Sequence, residues 1–153
     1  MNWTVRTMAR SLADYLAPVF PDVLFYEDPN QQGTHCPCFF LQQRDSSWRQ
    51  EMGGAFLRRI SLDLTYLLDY HLPDLQRQYE AAAETLDLRM AAFPYLDDED
   101  GTEPVWVRTY DREWRIDLDA LHYQFALRER VWLPKPAATK MQTIEALQEE
   151  VRQ

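Results

Sequence analysis

Residues 55–70 read AFLRRISLDLTYLLDY, and the order of apolar and polar side chains along this stretch decides the fold class. In an extended chain, one face carries Phe56, Arg58, Ile60, Leu62, Leu64 and Tyr66. The opposite face carries Leu57, Arg59, Ser61, Asp63 and Thr65. An alternation of period two is typical of an antiparallel strand with one buried and one wetter face. We predict a core that contains Phe40, Ile60, Leu62, Leu64 and Phe125.

The sequence before this strand predicts one helix and two shorter strands. Apolar residues at helical spacing indicate a helix over residues 4–17, and Pro18 follows its end. The stretches VLFYED (residues 23–28) and CFFLQQRD (residues 38–45) have the composition of strands. Residues 44–51 are polar, so we expect a loop there, between the second strand and the third.

The sequence after the long strand predicts a second helix, two further strands and a short terminal helix. A helical stripe runs from Pro73 to about Phe93, where Pro94 ends it. A strand is expected over residues 105–110, a tight hairpin connection at DREW (residues 111–114), and one long strand from there to Leu133. The PKP stretch at residues 134–136 is a stiff spacer before a helix over residues 139–151.

The predicted order of elements is α-β-β-β-α-β-β-α, which fits an α+β fold. We expect a mixed or mainly antiparallel sheet of about five strands, with the helices packed mainly on one face. A chain of 153 residues is long enough for one domain with a sizeable core. We therefore predict a single α+β domain over residues 1–133, followed by a spacer and helical tail over residues 134–153.

The charge of the chain limits its partners. The net charge is −9, with 25 acidic residues against 16 basic ones, and this argues against a general nucleic-acid binder. No stretch approaches the ~20 apolar residues of a membrane span, and the first residues lack the apolar region of a signal peptide. We expect no membrane partner, and a cytosolic site of synthesis where the thiols stay reduced.

The stretch HCPCFF at residues 35–40 could be half of a metal site, a redox pair or the start of a buried strand. A structural zinc site needs four ligands, but this chain offers one closely spaced pair, and His71 and His122 fall in other elements. Pro37 supplies no helix N-terminus that would lower the pKa of a thiol. We predict that Cys36 and Cys38 bind no metal and that Cys38 is a sheet residue.

The other motifs do not assemble an active site. The acidic run at residues 97–100 lacks the first and last carboxylates of a calcium-binding loop. No serine lies in a nucleophile elbow, and MGGAF (residues 52–56) lacks the lysine of a phosphate-binding loop. We therefore expect no catalytic residue, no cofactor and no enzymatic activity.

Two short stretches and the order of the segments are similar to a known family. The stretches are PCFFL at residues 37–41 and RRISLDLTY at residues 58–66, and a polar segment lies between them. They resemble the small tail terminator proteins found in phages and prophages of Gram-positive bacteria, over roughly residues 1–133. The chain departs from that pattern in adding Cys36, which further weakens the metal interpretation.

The resemblance implies a structural protein of the virion tail. Tail terminators are α+β subunits that close into a ring, usually a hexamer, at the head-proximal end of the tail tube. The implied partners are further copies of the chain, the tail tube protein and a head-completion protein, with DNA passing through the ring without specific binding. Assembly would take place in the cytoplasm of the bacterial host.

Subunit contacts are expected along residues 55–68 and in the polar segment at residues 44–50. The candidate interface residues are Arg44, Trp48, Arg58, Arg59, Trp106 and Trp132. We expect Arg58 and Arg59 to pair with an acidic neighbour such as the run at residues 97–100. Two other classes stay open at this point: another head–tail connector or neck protein, and a small enzyme or regulatory binding module.

Overall fold

Six strands among the described residues form one curled mixed sheet, against which two helices pack. The computed structural model describes residues 3–27, 35–96, 103–117 and 120–133. The elements are α1 (Val5–Leu16), β1 (Leu24–Tyr26), β2 (Cys38–Gln50), β3 (Ala55–Leu67), α2 (Leu75–Arg89), β4 (Ala92–Tyr95), β5 (Val105–Asp117) and β6 (Ala120–Trp132). The strands lie in the order β1-β2-β3-β6-β5-β4, with β1 parallel to β2 and the other neighbours antiparallel. The predicted α+β class is confirmed.

Helix α1 begins at a capping box. The Thr4 hydroxyl accepts a hydrogen bond from the Thr7 N–H at 3.2 Å, and the Thr7 hydroxyl accepts one from the Thr4 N–H at 3.3 Å. These bonds satisfy backbone donors that the first helical turn leaves without a partner. The buried residues Met8, Leu12 and Leu16 then recur every four positions, so one side of α1 faces the sheet.

The core lies between the two helices and one face of the sheet. Leu12 of α1 and Leu86 of α2 belong to the same buried cluster as Leu62 and Leu64 of β3. The five residues predicted to be buried, Phe40, Ile60, Leu62, Leu64 and Phe125, are each at most 3% exposed. Four of them join this cluster, whereas Phe40 is on the opposite face and stacks on Tyr26.

The second face of β3 is drier than predicted. Ser61, Asp63 and Thr65 were expected on a wetter face, but each is 7% exposed. The Thr65 hydroxyl donates a hydrogen bond to Asp63 at 3.1 Å, and an Asp63 oxygen lies 3.0 Å from Nδ1 of His122 on β6. The prediction failed because these short polar side chains bury one another at the centre of a curled sheet, where hydrogen bonds replace water.

The prediction of a polar loop at residues 44–51 is wrong. Strand β2 continues to Gln50 and pairs with β3 along its whole length, with a shift of register at Arg44. The chain reverses in a short 3₁₀ turn, Met52–Gly54, where Gly53 and Gly54 adopt positive φ angles that favour glycine. Residues 42–50 are exposed, so β2 lacks the apolar alternation by which a half-buried strand is identified.

Two boundaries in the second half also differ from the prediction. Helix α2 ends at Arg89 rather than near Phe93, and Phe93 and Pro94 lie in the short edge strand β4, which raises the strand count from five to six. The DREW stretch lies inside β5 and forms an irregularity at Asp111, whose φ is 54°. The chain predicted as one strand from residue 114 therefore contains the end of β5 and all of β6. The predicted spacer and terminal helix lie outside the described residues.

Candidate subunit-contact surface

The sheet is longer than the core that covers it. On β2, β3 and β6 the buried cluster of the described chain reaches Leu41, Ile60 and Leu127 and goes no farther towards the β2–β3 turn. Beyond that line the three strands continue as residues 44–59 and 128–132, which we call the uncovered end. It places large apolar side chains in solvent: Met52 is 94% exposed, Trp132 is 64% exposed and Trp48 is 49% exposed.

The uncovered end is basic within an acidic chain. It holds six of the 16 basic residues but only three of the 25 acidic ones, which gives it a net charge of +3. The other ten basic and 22 acidic residues leave the rest of the chain with a net charge of −12. Opposite charges are therefore separated between one end of the sheet and the remainder of the sequence.

On the helix side of the uncovered end, Arg58 and Glu129 form a half-satisfied pair. Arg58 donates a hydrogen bond to the Trp3 carbonyl at 3.2 Å, lies 5.5 Å from the centre of the Trp48 ring and is 3.8 Å from a Glu129 oxygen. Among the described residues, Nε of Arg58 and Oε2 of Glu129 are buried without a hydrogen-bond partner. Burial raises the pKa of Glu129, although the Arg58 charge acts in the opposite direction.

On the other face, arginines lie side by side. Arg59 is directly opposite Arg128, and one row further towards the turn Leu57 is flanked by Arg49 and Arg130. Asp111 lies 3.0 Å from Arg59 and 3.6 Å from Arg128, so one carboxylate joins two cations that would otherwise repel each other. Arg130 is 3.1 Å from Glu51. Arg49 has no acidic partner within the described ranges.

The uncovered end contains five of the six predicted interface residues, namely Arg44, Trp48, Arg58, Arg59 and Trp132. The sixth, Trp106 on β5, is 63% exposed and packs edge to face on Tyr15 of α1. Arg58 and Arg59 make their ion pairs with Glu129 and Asp111 of the same chain, and the acidic run at residues 97–100 lies outside the described residues. Arg44 donates a hydrogen bond to Gln124 at 2.8 Å across β3.

Sequence reasoning missed Arg49, Met52, Arg128 and Arg130, which complete the surface. Arg128 and Arg130 are two positions apart in LRERVW, so a strand brings them to one face, as it does for Leu57 and Arg59. That signal was present in the sequence. The position of Arg49 could not be deduced, because it depends on residues 44–50 being a strand.

Among the described residues, His122 and Cys38 are the side chains to consider for catalysis. Asp63 and Thr65 both approach Nδ1 of His122, whereas a catalytic triad needs the acid and the nucleophile on different ring nitrogens. Burial raises the pKa of Cys38 to about 12, which disfavours the thiolate needed for metal binding or redox chemistry. The described chain holds no cluster of three or more His, Cys, Asp or Glu side chains suited to a metal ion.

Concave regions lie in the uncovered end, next to it and beside α1. A cleft of about 530 Å³ in the uncovered end is lined by Arg49, Glu51, Met52, Arg130 and Trp132. A groove of about 580 Å³ runs beside α1 and is bordered by Tyr15, Val19, Pro94 and Leu96. A cleft of about 340 Å³ opens where β5 and β6 separate beyond Thr109 and Leu127, and Glu129 lines it. The groove beside α1 is lined mainly by apolar side chains, whereas the clefts at the uncovered end are lined by arginines together with Glu51 or Glu129.

Comparison with known proteins identifies the family. No curated protein matches the chain. No helix in the described ranges has the length and apolar character to cross a membrane. A family model described as phage tail terminator protein matches residues 7–138, which is most of the sequence and includes the whole of the uncovered end. The chain therefore belongs to the phage tail terminator family, a family of structural proteins of the phage tail.

Proposed function

We propose that this protein caps the head-proximal end of a phage tail tube as a closed ring, ends polymerisation of the tube and offers the surface to which a head-completion protein binds. Family membership supports a structural role in the tail. The single observation that favours self-association is the uncovered end, a stretch of sheet that exposes large apolar side chains and holds two buried polar atoms without hydrogen-bond partners among the described residues.

The exposed side chains of the uncovered end favour a protein partner. Trp48, Met52 and Trp132 lie on the same projecting part of the sheet, and aromatic residues, methionine and arginine are enriched at protein interfaces. A contacting subunit would remove this apolar surface from water. It would also offer hydrogen-bond partners to Arg58 and Glu129, whose unpaired buried atoms destabilise the isolated subunit.

A ring explains why the tube would stop growing. Repetition of one head-to-tail contact closes into a ring or continues as a filament, and a cap must close. Six subunits per ring is the proposed number, in keeping with the family. An overall charge of −9 would let DNA pass the ring without being held by it. The proposed location is the virion tail, after assembly in the host cytoplasm.

The test is a tail-assembly reaction with and without this protein, with tube lengths and head attachment scored by electron microscopy. We expect tubes of uncontrolled length and few joined heads when the protein is omitted, and uniform joined tails when it is restored. Tubes that stop at uniform length without it would refute the capping role. If such tubes also failed to join heads, the protein would be a connector instead.

A further inference from the structure

Helix α2 presents an acidic stripe with an apolar end on the body of the subunit. Glu84 and Leu88 lie on the side of α2 that faces away from the buried Tyr79, Ala83 and Leu86, and Glu80 precedes Glu84 by about one turn. Leu88 is 85% exposed, and Glu84 has no ion pair within the described part of the chain. The stripe therefore combines an exposed leucine with two carboxylates that make no ion pair among the described residues, and this complements the exposed apolar side chains and positive charge of the uncovered end.

We propose that the uncovered end of one subunit docks on the Glu80–Glu84–Leu88 stripe of a second copy of this chain. The proposal rests on the ring assembly proposed above and names the two surfaces that form its repeated contact. Arg49 of one copy meets Glu84 of the next, and Met52 and Leu57 pack near Leu88. The occupant is a second copy because the carboxylates of Glu80 and Glu84 complement the net charge of +3 at the uncovered end of the same chain.

The two surfaces are separate on one subunit, as a head-to-tail contact requires. Asp87 on α2 accepts a hydrogen bond from the Tyr123 hydroxyl, which places the end of α2 against the covered part of β6. Tyr123 is five residues before Arg128, where the uncovered end begins, and this is about 17 Å along a strand. A subunit can therefore use its uncovered end and its α2 stripe at once, with two different neighbours.

The first test is a mixed cross-linking experiment. In a Cys36→Ser background, which removes the exposed native thiol, Arg49→Cys and Glu84→Cys proteins are prepared with different tags and treated with a short bis-maleimide reagent. We expect a cross-linked product that carries both tags, and no product from either protein alone. Cross-linking of Arg49→Cys with itself would mean that two uncovered ends meet, which overturns the proposal.

The second test exchanges the charges. Arg49→Glu and Glu84→Arg should each weaken association on tail tubes about tenfold, and the double variant should recover association to within about threefold of the starting protein. Arg6→Glu on α1 changes the net charge equally but should leave association unchanged. Failure of the double variant to recover would show that these two side chains do not meet. Melting curves would confirm that each variant is folded.

These outcomes separate the contact from the proposed function. If omission of the protein leaves tube length uncontrolled but Arg49→Glu still caps tubes normally, the proposed contact is wrong and the capping role stands. If Arg49→Glu leaves subunit association intact but lowers retention on double-stranded DNA, the uncovered end is a DNA-facing surface, and the docking proposal is again overturned.

Discussion

Strands β3 and β6 pair over thirteen residues each, and the two halves of this pair differ in how far they are buried. Residues 60–66 of β3 are all buried, with helices on one side and a hydrogen-bonded polar layer on the other. Residues 56–59 of the same strand have the same backbone pairing but are only half-buried. The ladder of hydrogen bonds is therefore common to both halves, and only the covering layer differs.

This difference indicates where stability and assembly reside. The covered half removes large apolar side chains from water, which is the main favourable term in folding. The uncovered end buries little and keeps two polar atoms without hydrogen-bond partners among the described residues, so its contribution to folding is small. Substitutions in the covered half should reduce stability, and substitutions in the uncovered end should reduce association at nearly constant stability.

Leu62→Ala should have the largest effect. Leu62 is 1% exposed at the centre of the core, so the substitution leaves a cavity and should lower the free energy of unfolding by ~2–5 kcal/mol. Its matched control is Leu57→Ala on the same strand in the uncovered end, which should cost about 1 kcal/mol or less. Urea unfolding of both proteins measures the contrast. Equal losses would show that the two halves are packed alike.

Tyr123→Phe should come next. The Tyr123 hydroxyl donates a hydrogen bond to Asp87 at 2.8 Å and accepts one from Arg112 at 3.3 Å, so its loss should cost about 1–2 kcal/mol. Tyr110→Phe provides the control, because the Tyr110 hydroxyl has no hydrogen bond with the described residues. The Tyr110 ring packs under the Arg128 guanidinium, and the substitution keeps that ring. A Tyr110→Phe loss as large as that of Tyr123→Phe would contradict this assignment.

The same tyrosine should make stability depend on alkaline pH. Burial, and then the hydrogen bond to Asp87, raise the pKa of Tyr123 to about 12 from its ordinary value of 10.0. The folded state therefore holds this proton more tightly than the unfolded state. Its contribution is complete below pH 10 and is lost as the pH rises towards 12. Tyr123→Phe should make that part of the stability curve less steep, and the slope that remains should come from Tyr66, whose pKa burial also raises to about 12.

The covered half could be predicted from the sequence, whereas the β2 part of the uncovered end could not. Ile60, Leu62 and Leu64 alternate with polar residues because one face of this part of the sheet packs in the apolar core, and this alternation identifies a strand directly. Residues 44–50 have water on both sides, so no alternation is required of them and their composition matches that of a loop. Their strand conformation comes from pairing with β3, which is a tertiary effect.

The candidate surface was predicted only in part, because it too depends on which strands pair in the folded chain. Arg58 and Arg59 stand out in the sequence as two adjacent arginines on a strand, and Trp48 as an aromatic residue in a polar stretch, but their partners depend on which strands become neighbours. Glu129 is distant in sequence from Arg58 and reaches it because β6, rather than β5, lies beside β3. In the order β3-β6-β5, the neighbour of β3 is the more distant strand in sequence, β6, and not β5. The periodicity of apolar residues gives no information about which strands become neighbours.

Glu129→Gln should test whether the pair in the uncovered end is incomplete. The pKa of Glu129 is raised by burial above its ordinary value of 4.5, so the folded state favours the protonated form. The wild-type protein should therefore lose some stability as the pH rises from 4.5 through the raised pKa. The variant should lack this loss and should equal or exceed the wild type at neutral pH. If the variant were less stable than the wild type at neutral pH, the Arg58 charge would compensate fully for the burial of the Glu129 carboxylate.

Trp48→Ala should have the smallest effect on folding and a clear effect on assembly. Half of this side chain is in solvent, and its contacts are an edge-to-face pair with Phe56 and the Arg58 cation above its ring. Loss of these contacts should cost about 1 kcal/mol or less, because an exposed cation–π pair contributes only about 0.5–1 kcal/mol. A subunit contact that also covers the helix side of the uncovered end would bury the Trp48 side chain, so its removal should weaken association by a larger factor than it changes the folding constant. Trp106→Ala supplies the comparison, since Trp106 is similarly exposed but lies on β5, outside the uncovered end. Analytical ultracentrifugation and thermal melting of both variants would measure the two effects separately. If Trp106→Ala weakened association as much as Trp48→Ala, the contact surface would extend across β5, and the division between a folding half and an assembly half would have to be redrawn.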